Sequence, residues 1–239
     1  MPTLAIVTAR GGSKRIPRKN IRPFCGTPIL GYPIRAALAA GCFDDVMVST
    51  DDREIAEVAR NFGAAVPFYR SAGTSDDHAT TADVLVEVLT EYAGRGKRFD
   101  MACCIYPTAP FVTAEMLADG HRTLANDSRL ESVVPVVRFG YPIQRALKIE
   151  DGRLGMIWPE NLNKRSQDLM PAYHDAGQFY WFRVEAFLQS RRLFAANTAP
   201  VILPEWAVQD IDNEDDWMLA ETKYEVLQRL VKSRLAQAA

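Results

Sequence analysis

The sequence predicts an α/β protein: a Rossmann-like, mostly parallel sheet with helices on both faces, carrying one small insertion. Three observations lead there. Short apolar runs alternate with segments of helical periodicity as far as about residue 137, the pattern of strands joined by crossover helices. The first run opens straight into a loop with two adjacent glycines, at the strand end where such sheets collect ligands. The alternation then breaks between Gly140 and Ala176, and resumes afterwards.

Each element has its own signal. Leu4 to Thr8 reads as the first strand, Pro28 to Ala40 as a helix and Asp45 to Ser49 as the next strand. From Asp51 to Phe62 the side chains Ile55, Val58, Ala59 and Phe62 recur at helical spacing, and Ala64 to Tyr69 reads as a short strand. Thr81 to Tyr92 and Thr113 to Asn126 are predicted helices; Met101 to Ile105 and Ser132 to Val137 are predicted strands. Pro142, the Asp151-Gly152 turn pair, Pro159 and Pro171 interrupt the next stretch. Strand-like sequence returns at Gln178 to Phe182 and at Val201 to Leu203, and an amphipathic helix closes the chain from about Glu214 to Leu235. A chain of 239 residues can form one core, so residues 1–239 are expected to be one domain with an arm inserted at 140–176.

Composition narrows the function classes. Lys and Arg total 28 against 30 Asp and Glu, so nothing attracts nucleic acid or an anionic membrane in general, and any anion site must be local. The Leu4 to Val7 run is too short for a signal-peptide core, and no apolar run reaches the ~20 residues of a membrane span. Cys25, Cys42, Cys103 and Cys104 show no CxxC spacing, and His78, His121 and His174 lie far apart, so reduced thiols in a cytoplasmic protein are expected and a zinc site is not.

The loop after the first strand, Arg10-Gly11-Gly12-Ser13-Lys14-Arg15-Ile16-Pro17-Arg18-Lys19-Asn20, combines glycines able to turn with N–H groups exposed and the cations Arg10, Lys14, Arg15, Arg18 and Lys19. It suits a triphosphate, yet it is neither GxGxxG nor GxxxxGK[ST]. A nicotinamide-dependent reductase is therefore disfavoured. Asp210 and Asp212 alternate on an extended stretch, so Ile211 can face the core while both carboxylates face one side, a hard-oxygen pair suited to Mg²⁺. Alternatively Asp212 caps the following helix, with Asp215 completing a box. Thr80 and Thr81 fit a helix N-terminus as well as they fit ligand binding.

The loop resembles the signature of the acylneuraminate (CMP-sialic acid type) cytidylyltransferases, a strand followed by ARGGSKGIPRKN, departing only by Arg15 where that family usually has glycine. Tyr106-Pro107-Thr108-Ala109-Pro110 resembles its QPTSP, Asp210-Ile211-Asp212 its metal-binding DID, and Arg70 and Thr80-Thr81 match in order between them. The HDAGQFYW run ending at Trp181 is more similar to the pseudaminic acid branch than to the sialic acid branch. The resemblance implies transfer of CMP from CTP to an acidic nonulosonic sugar, with Mg²⁺ as cofactor and a homodimer in which the 140–176 arm reaches the neighbour's sugar site. Residue by residue, it implies that Arg10, Gly11, Gly12, Ser13, Lys14, Lys19, Asn20, Arg70, Thr80 and Thr81 hold the nucleotide, and that Asp210 and Asp212 hold the metal. Arg10 and Lys14, with the two aspartates, are the expected catalytic groups, because charge develops on the departing pyrophosphate. Tyr106, Thr108, Lys148, Arg165 and Gln178 are the expected sugar-binding residues, with Phe111 or Tyr180 sharing an aromatic wall near Tyr106. A non-catalytic nucleotide-binding module is disfavoured by the coexistence of a phosphate loop and a metal pair.

Overall fold

In the computed structural model, which describes residues 1–76 and 78–238, strand β1 (Thr3–Thr8) is buried at every side chain from Leu4 to Val7, as a strand covered on both faces must be. The basic loop follows. A small hairpin, β2 (Pro23–Phe24) and β3 (Thr27–Pro28), then turns at Cys25 and Gly26, both with positive φ as a two-residue hairpin twist demands. Next come α1 (Gly31–Ala39), β4 (Asp45–Ser49), α2 (Arg53–Asn61), α3 (Thr81–Gly94), β5 (Met101–Ile105), α4 (Ala114–Asn126) and β6 (Ser132–Arg138). The strand expected at Ala64 to Tyr69 is not formed. Ala65 makes one parallel bridge to Met47, and Pro67 has no N–H with which to continue a ladder.

The interrupted stretch holds an exposed hairpin, β7 (Leu147–Glu150) and β8 (Arg153–Met156), turning at Asp151 and Gly152 as their sequence indicates. Its far end does not belong to the arm: β9 (Tyr173–Asp175) returns to the main sheet and pairs antiparallel with β6. β10 (Phe179–Arg183), α5 (Val184–Ser190), β11 (Thr198–Leu203) and α6 (Glu214–Ala238) complete the chain. Periodicity does not reveal α5, whose seven residues span too few turns to register as a pattern.

The sheet runs β11-β6-β10-β5-β1-β4, with β9 beside β6. β4, β1 and β5 are mutually parallel, as are β6 and β11, whereas β10 runs antiparallel between β5 and β6. Ile34, Ile55, Leu117 and Leu124 of α1, α2 and α4 cover one face against Val7, Val48, Ile105 and Trp181. Leu85, Val88 and Phe187 of α3 and α5 cover the other, against Ile6, Cys104 and Phe182. A third apolar cluster lies off the sheet and joins Ile16 of the basic loop, Phe24, Ile29 and Phe111 to Ile211, Trp217 and Ala220. Among the described residues no helix is long and apolar enough to cross a membrane.

The start of α6 settles how its N-terminus is capped. Asn213 Oδ1 accepts from the Asp216 N–H at 3.0 Å, while the Asp216 carboxylate accepts from the backbone N–H groups of Asn213 and Asp212 at 3.1 and 2.9 Å. The box is thus Asn213 with Asp216, one residue later than the expected Asp212 with Asp215, and the Asp212 carboxylate is not used by the helix. Asn213→Ala is expected to lower unfolding free energy by about 1 kcal/mol in urea denaturation. Asp212→Ala should shift the midpoint less, and an equal shift would restore Asp212 as the cap.

Candidate active site

Three cooperating elements build the site. β1 and β5 end side by side, and because the chain moves from β1 to β4 on one side and later to β5 on the other, a crevice opens beyond their carboxyl ends. Thr8 and Tyr106 stand at those ends and line a cavity of about 620 Å³. The basic loop and the 208–212 segment close it on a further side. Ile16 of the loop and Ile211 between the two aspartates are both buried in the cluster around Phe24 and Trp217, so the positive and negative segments are held together through one apolar cluster. Asp210 and Asp212, left on the outer side of that cluster, both line the cavity, as alternation predicts.

The loop's cations divide by partner. Arg18, held at φ 56°, pairs with Asp52 at 2.5 Å and with Glu54, and its hydrogen bond holds the Asp52 carboxyl below its ordinary pKa. Arg22 pairs with Glu214 and lies 4.5 Å from the Trp217 ring centroid. Lys19 donates to the Ile211 carbonyl at 2.5 Å, and burial pushes its pKa down while Asp212 and Asp210 pull it up. Arg15 reaches Asp212 Oδ1 at 2.7 Å. Arg10 donates to the Asp76 carbonyl at 3.0 Å, and with Ser13 and Lys14 it lines the cavity.

Other residues expected at the nucleotide also brace the site. The Gly11 N–H is donated to Asp51 Oδ1 at 2.9 Å, and the Ser13 N–H to the Gly11 carbonyl at 3.1 Å, so the loop's amides are partly satisfied internally rather than all turned outward. Asn20 is buried beneath the loop with Nδ2 on the Arg10 carbonyl at 2.8 Å, while still reaching the cavity wall. Arg70 is buried, donates to Ser49 Oγ and to the Ser49 carbonyl at 3.1 and 2.8 Å, and has its pKa lowered by desolvation. Its guanidinium is therefore fixed at the cavity wall, a rigid fork for an anion. Thr80 is absent from that wall because its hydroxyl and N–H are taken up in a capping box with Asp83; Thr81 does line the cavity.

Comparisons with known proteins show the family. The sequence profile described as Cytidylyltransferase matches residues 4–150. A pseudaminic acid cytidylyltransferase of Campylobacter jejuni is 40% identical over 95% of this chain and 97% of its own. The chain belongs to the cytidylyltransferase family. A CMP-N,N'-diacetyllegionaminic acid synthase of Legionella pneumophila is 30% identical over 95% of this cytidylyltransferase and 98% of its own length. Among solved structures, a CMP:2-keto-3-deoxy-manno-octonic acid synthetase complexed with CTP superposes with TM-score 0.69 at 16% identity, over 96% of this chain and all of that one, a likeness of fold.

Of the residues expected to bind the sugar, the cytidylyltransferase's own chain brings only part to the cavity. Tyr106 and Thr108 line the cavity, and the Tyr106 ring leans on Tyr180 with centroids 5.4 Å apart. Neither Phe111, buried against Tyr224 in the third cluster, nor Tyr180, buried behind Tyr106, lines the cavity. Lys148 lies on the exposed hairpin paired with Glu150, and Arg165 pairs with Asp168, so neither lines the cavity within one chain. Gln178 is buried at the head of β10, with Nε2 on the Ala207 carbonyl and Oε1 unpartnered. It supports the 207–212 segment from beneath. The sequence reading missed Thr8, Thr74 and Asp76, which line the cavity; the polar Ser-, Thr- and Asp-rich turn at 71–76, before a helix, is the signal that could have found the last two.

The two glycines are predicted to differ. A Cβ on Gly11 would come within 2.9 Å of Asp52 Oδ2 and 3.0 Å of Asp52 Cβ, whereas one on Gly12 would meet nothing within 4 Å. Gly11→Ala should weaken CTP binding about tenfold or more in calorimetric titration by displacing the loop from the α2 cap, while Gly12→Ala should change it less than about threefold. Equal losses would show that the loop is not seated on Asp52.

Proposed function

We propose that this cytidylyltransferase transfers CMP from CTP to the anomeric hydroxyl of pseudaminic acid, releasing pyrophosphate. The observation that carries the reading is one cavity, at the switch point of the sheet, walled on one side by Arg10, Ser13 and Lys14 and on another by Asp210 and Asp212. Arg10, Lys14 and Arg70 bind the triphosphate as a cationic cradle, and Ser13 adds a hydroxyl. Lys14, on the exposed part of the loop, meets the charge that grows on the departing pyrophosphate, where stabilisation lowers the barrier most. Asn20 and the Asp51–Gly11 hydrogen bond hold the loop in the geometry this requires.

Two carboxylates are too few for an all-protein metal site, and among the described residues no group of three or more His, Cys, Asp or Glu could hold an ion. They do fit Mg²⁺, which keeps waters and takes phosphate oxygens beside one or two carboxylates. Asp210 and Asp212 would hold it, and the ion would supply Lewis-acid polarisation of the phosphate.

Pseudaminic acid, rather than a sialic or legionaminic acid, is supported by the Tyr106 ring at the cavity. Tyr106, whose pKa is raised by burial, presents a ring where the resembling QPTSP motif presents an amide, which suits a sugar with an added acylamino group and a methyl. The arm supports a homodimer: Tyr141, Leu147, Ile149, Leu154 and Trp158 are exposed on it, more apolar surface than a lone arm carries. Lys148 and Arg165 would then meet the sugar carboxylate of the neighbouring subunit. Four free thiols suit the cytoplasm.

Mass spectrometry of products from CTP, Mg²⁺ and a panel of acid sugars tests the assignment. The expected order of kcat/KM is pseudaminic above legionaminic above sialic acid; equal turnover of sialic acid would overturn the choice of sugar, and no CMP-sugar at all the choice of reaction. In the same assay Lys14→Ala should lower kcat by about a hundredfold with unchanged circular dichroism. Unchanged turnover would remove Lys14 from the mechanism. Sedimentation at micromolar concentration should show a dimer, and a monomer alone would leave Lys148 and Arg165 without a site.

A further inference from the structure

Arg15 is set apart from its neighbours in the loop. Arg18 and Arg22 pair with carboxylates that do not line the cavity, and Lys19 grips a backbone carbonyl. Arg15 pairs with Asp212, a cavity carboxylate that the helix cap does not use. Both side chains keep much of their solvent exposure, 68% and 41%, so this is an exchangeable contact rather than a locked one. Position 15 is also where the resembling loop motif carries glycine. A guanidinium 2.7 Å from Oδ1 occupies one of the two oxygens with which Asp212 could hold a divalent ion, and two cations on one carboxylate repel each other.

We propose that Arg15 competes with the divalent cation for Asp212, so that metal alone binds weakly and a triphosphate admits it by drawing the guanidinium onto its own oxygens. This rests on the reading of Asp212 as a metal ligand. Phosphate oxygens present more negative charge than one carboxylate and accept the same planar fork, so the exchange is favourable once the triphosphate enters. The coupling is reciprocal: what raises metal affinity in the presence of nucleotide raises nucleotide affinity in the presence of metal by the same factor. Arg15 is thus a positioning residue that couples the loading of nucleotide to the loading of metal, a task for which glycine has no side chain.

The test is to titrate Mn²⁺ alone into wild type, Arg15→Gly, Arg15→Gln, Arg15→Lys and Asp212→Asn proteins, counting free Mn²⁺ by electron paramagnetic resonance. Arg15→Gly and Arg15→Gln should bind Mn²⁺ about two- to fivefold tighter than wild type, the range set by an exposed ion pair, while Arg15→Lys stays near wild type and Asp212→Asn binds more weakly. The glutamine variant separates loss of charge from the flexibility that glycine adds. Calorimetry with CTP and no metal should show weaker binding in the two neutral variants. Wild-type Mn²⁺ affinity in both neutral variants, with Asp212→Asn weakened, would overturn the competition and leave the metal assignment standing. Unaltered Mn²⁺ affinity in Asp212→Asn would overturn both.

Discussion

Burial of Ile16 and Ile211 in one apolar cluster is the constraint on which the site depends. The basic loop follows β1 and the acidic pair lies almost two hundred residues later, so nothing local keeps them together. Their apolar side chains share one cluster with Phe24, Ile29, Phe111 and Trp217, each fully or almost fully buried. A buried aliphatic side chain contributes roughly 1.5–3 kcal/mol from burial alone, more than an exposed ion pair between the same segments would. Polar groups then fix orientation: Lys19 on the Ile211 carbonyl, Arg22 on Glu214, and Lys223 of α6 on the Val208 carbonyl at 3.2 Å. Hydrophobic contact holds the segments together and hydrogen bonding sets which groups face the cavity.

That division explains why a loop so rich in cations is not simply a phosphate cradle. Arg18 and Arg22 fasten the loop to α2 and α6, and Asn20 fills the space beneath it. Arg18 is withdrawn from the cavity, and Arg10, Lys14, Arg15 and Lys19 remain along its wall. A preorganised donor gains more at a transition state than a mobile one, because it need not reorganise as charge develops.

Much of this was written in the sequence. The first strand, the central helices and β5 follow from periodicity, and the loop, Arg70, the YPT run and the aspartate pair follow from their resemblance to one family's motifs. Ile211 facing inward between two outward carboxylates is a consequence of alternation alone, and the burial bears it out. These features are local or repeat a pattern, which is why one chain suffices to read them.

Tertiary structure decided the rest, for reasons that involve distant partners. Whether Asp212 or Asn213 caps α6 differs by a single residue of register, and only the hydrogen bonds to Asp216 choose between them. The segment after Ala64 has strand composition yet forms one bridge, because a ladder needs donors and Pro67 lacks one. Thr80 and Thr81 are indistinguishable as letters, but the turn of α3 sends one hydroxyl to Asp83 and brings the other residue to the cavity wall. Arg15 stands out in sequence only as a departure from a motif. Its partner, Asp212, comes within reach because two isoleucines far apart in the chain are buried together, and no local pattern encodes that meeting.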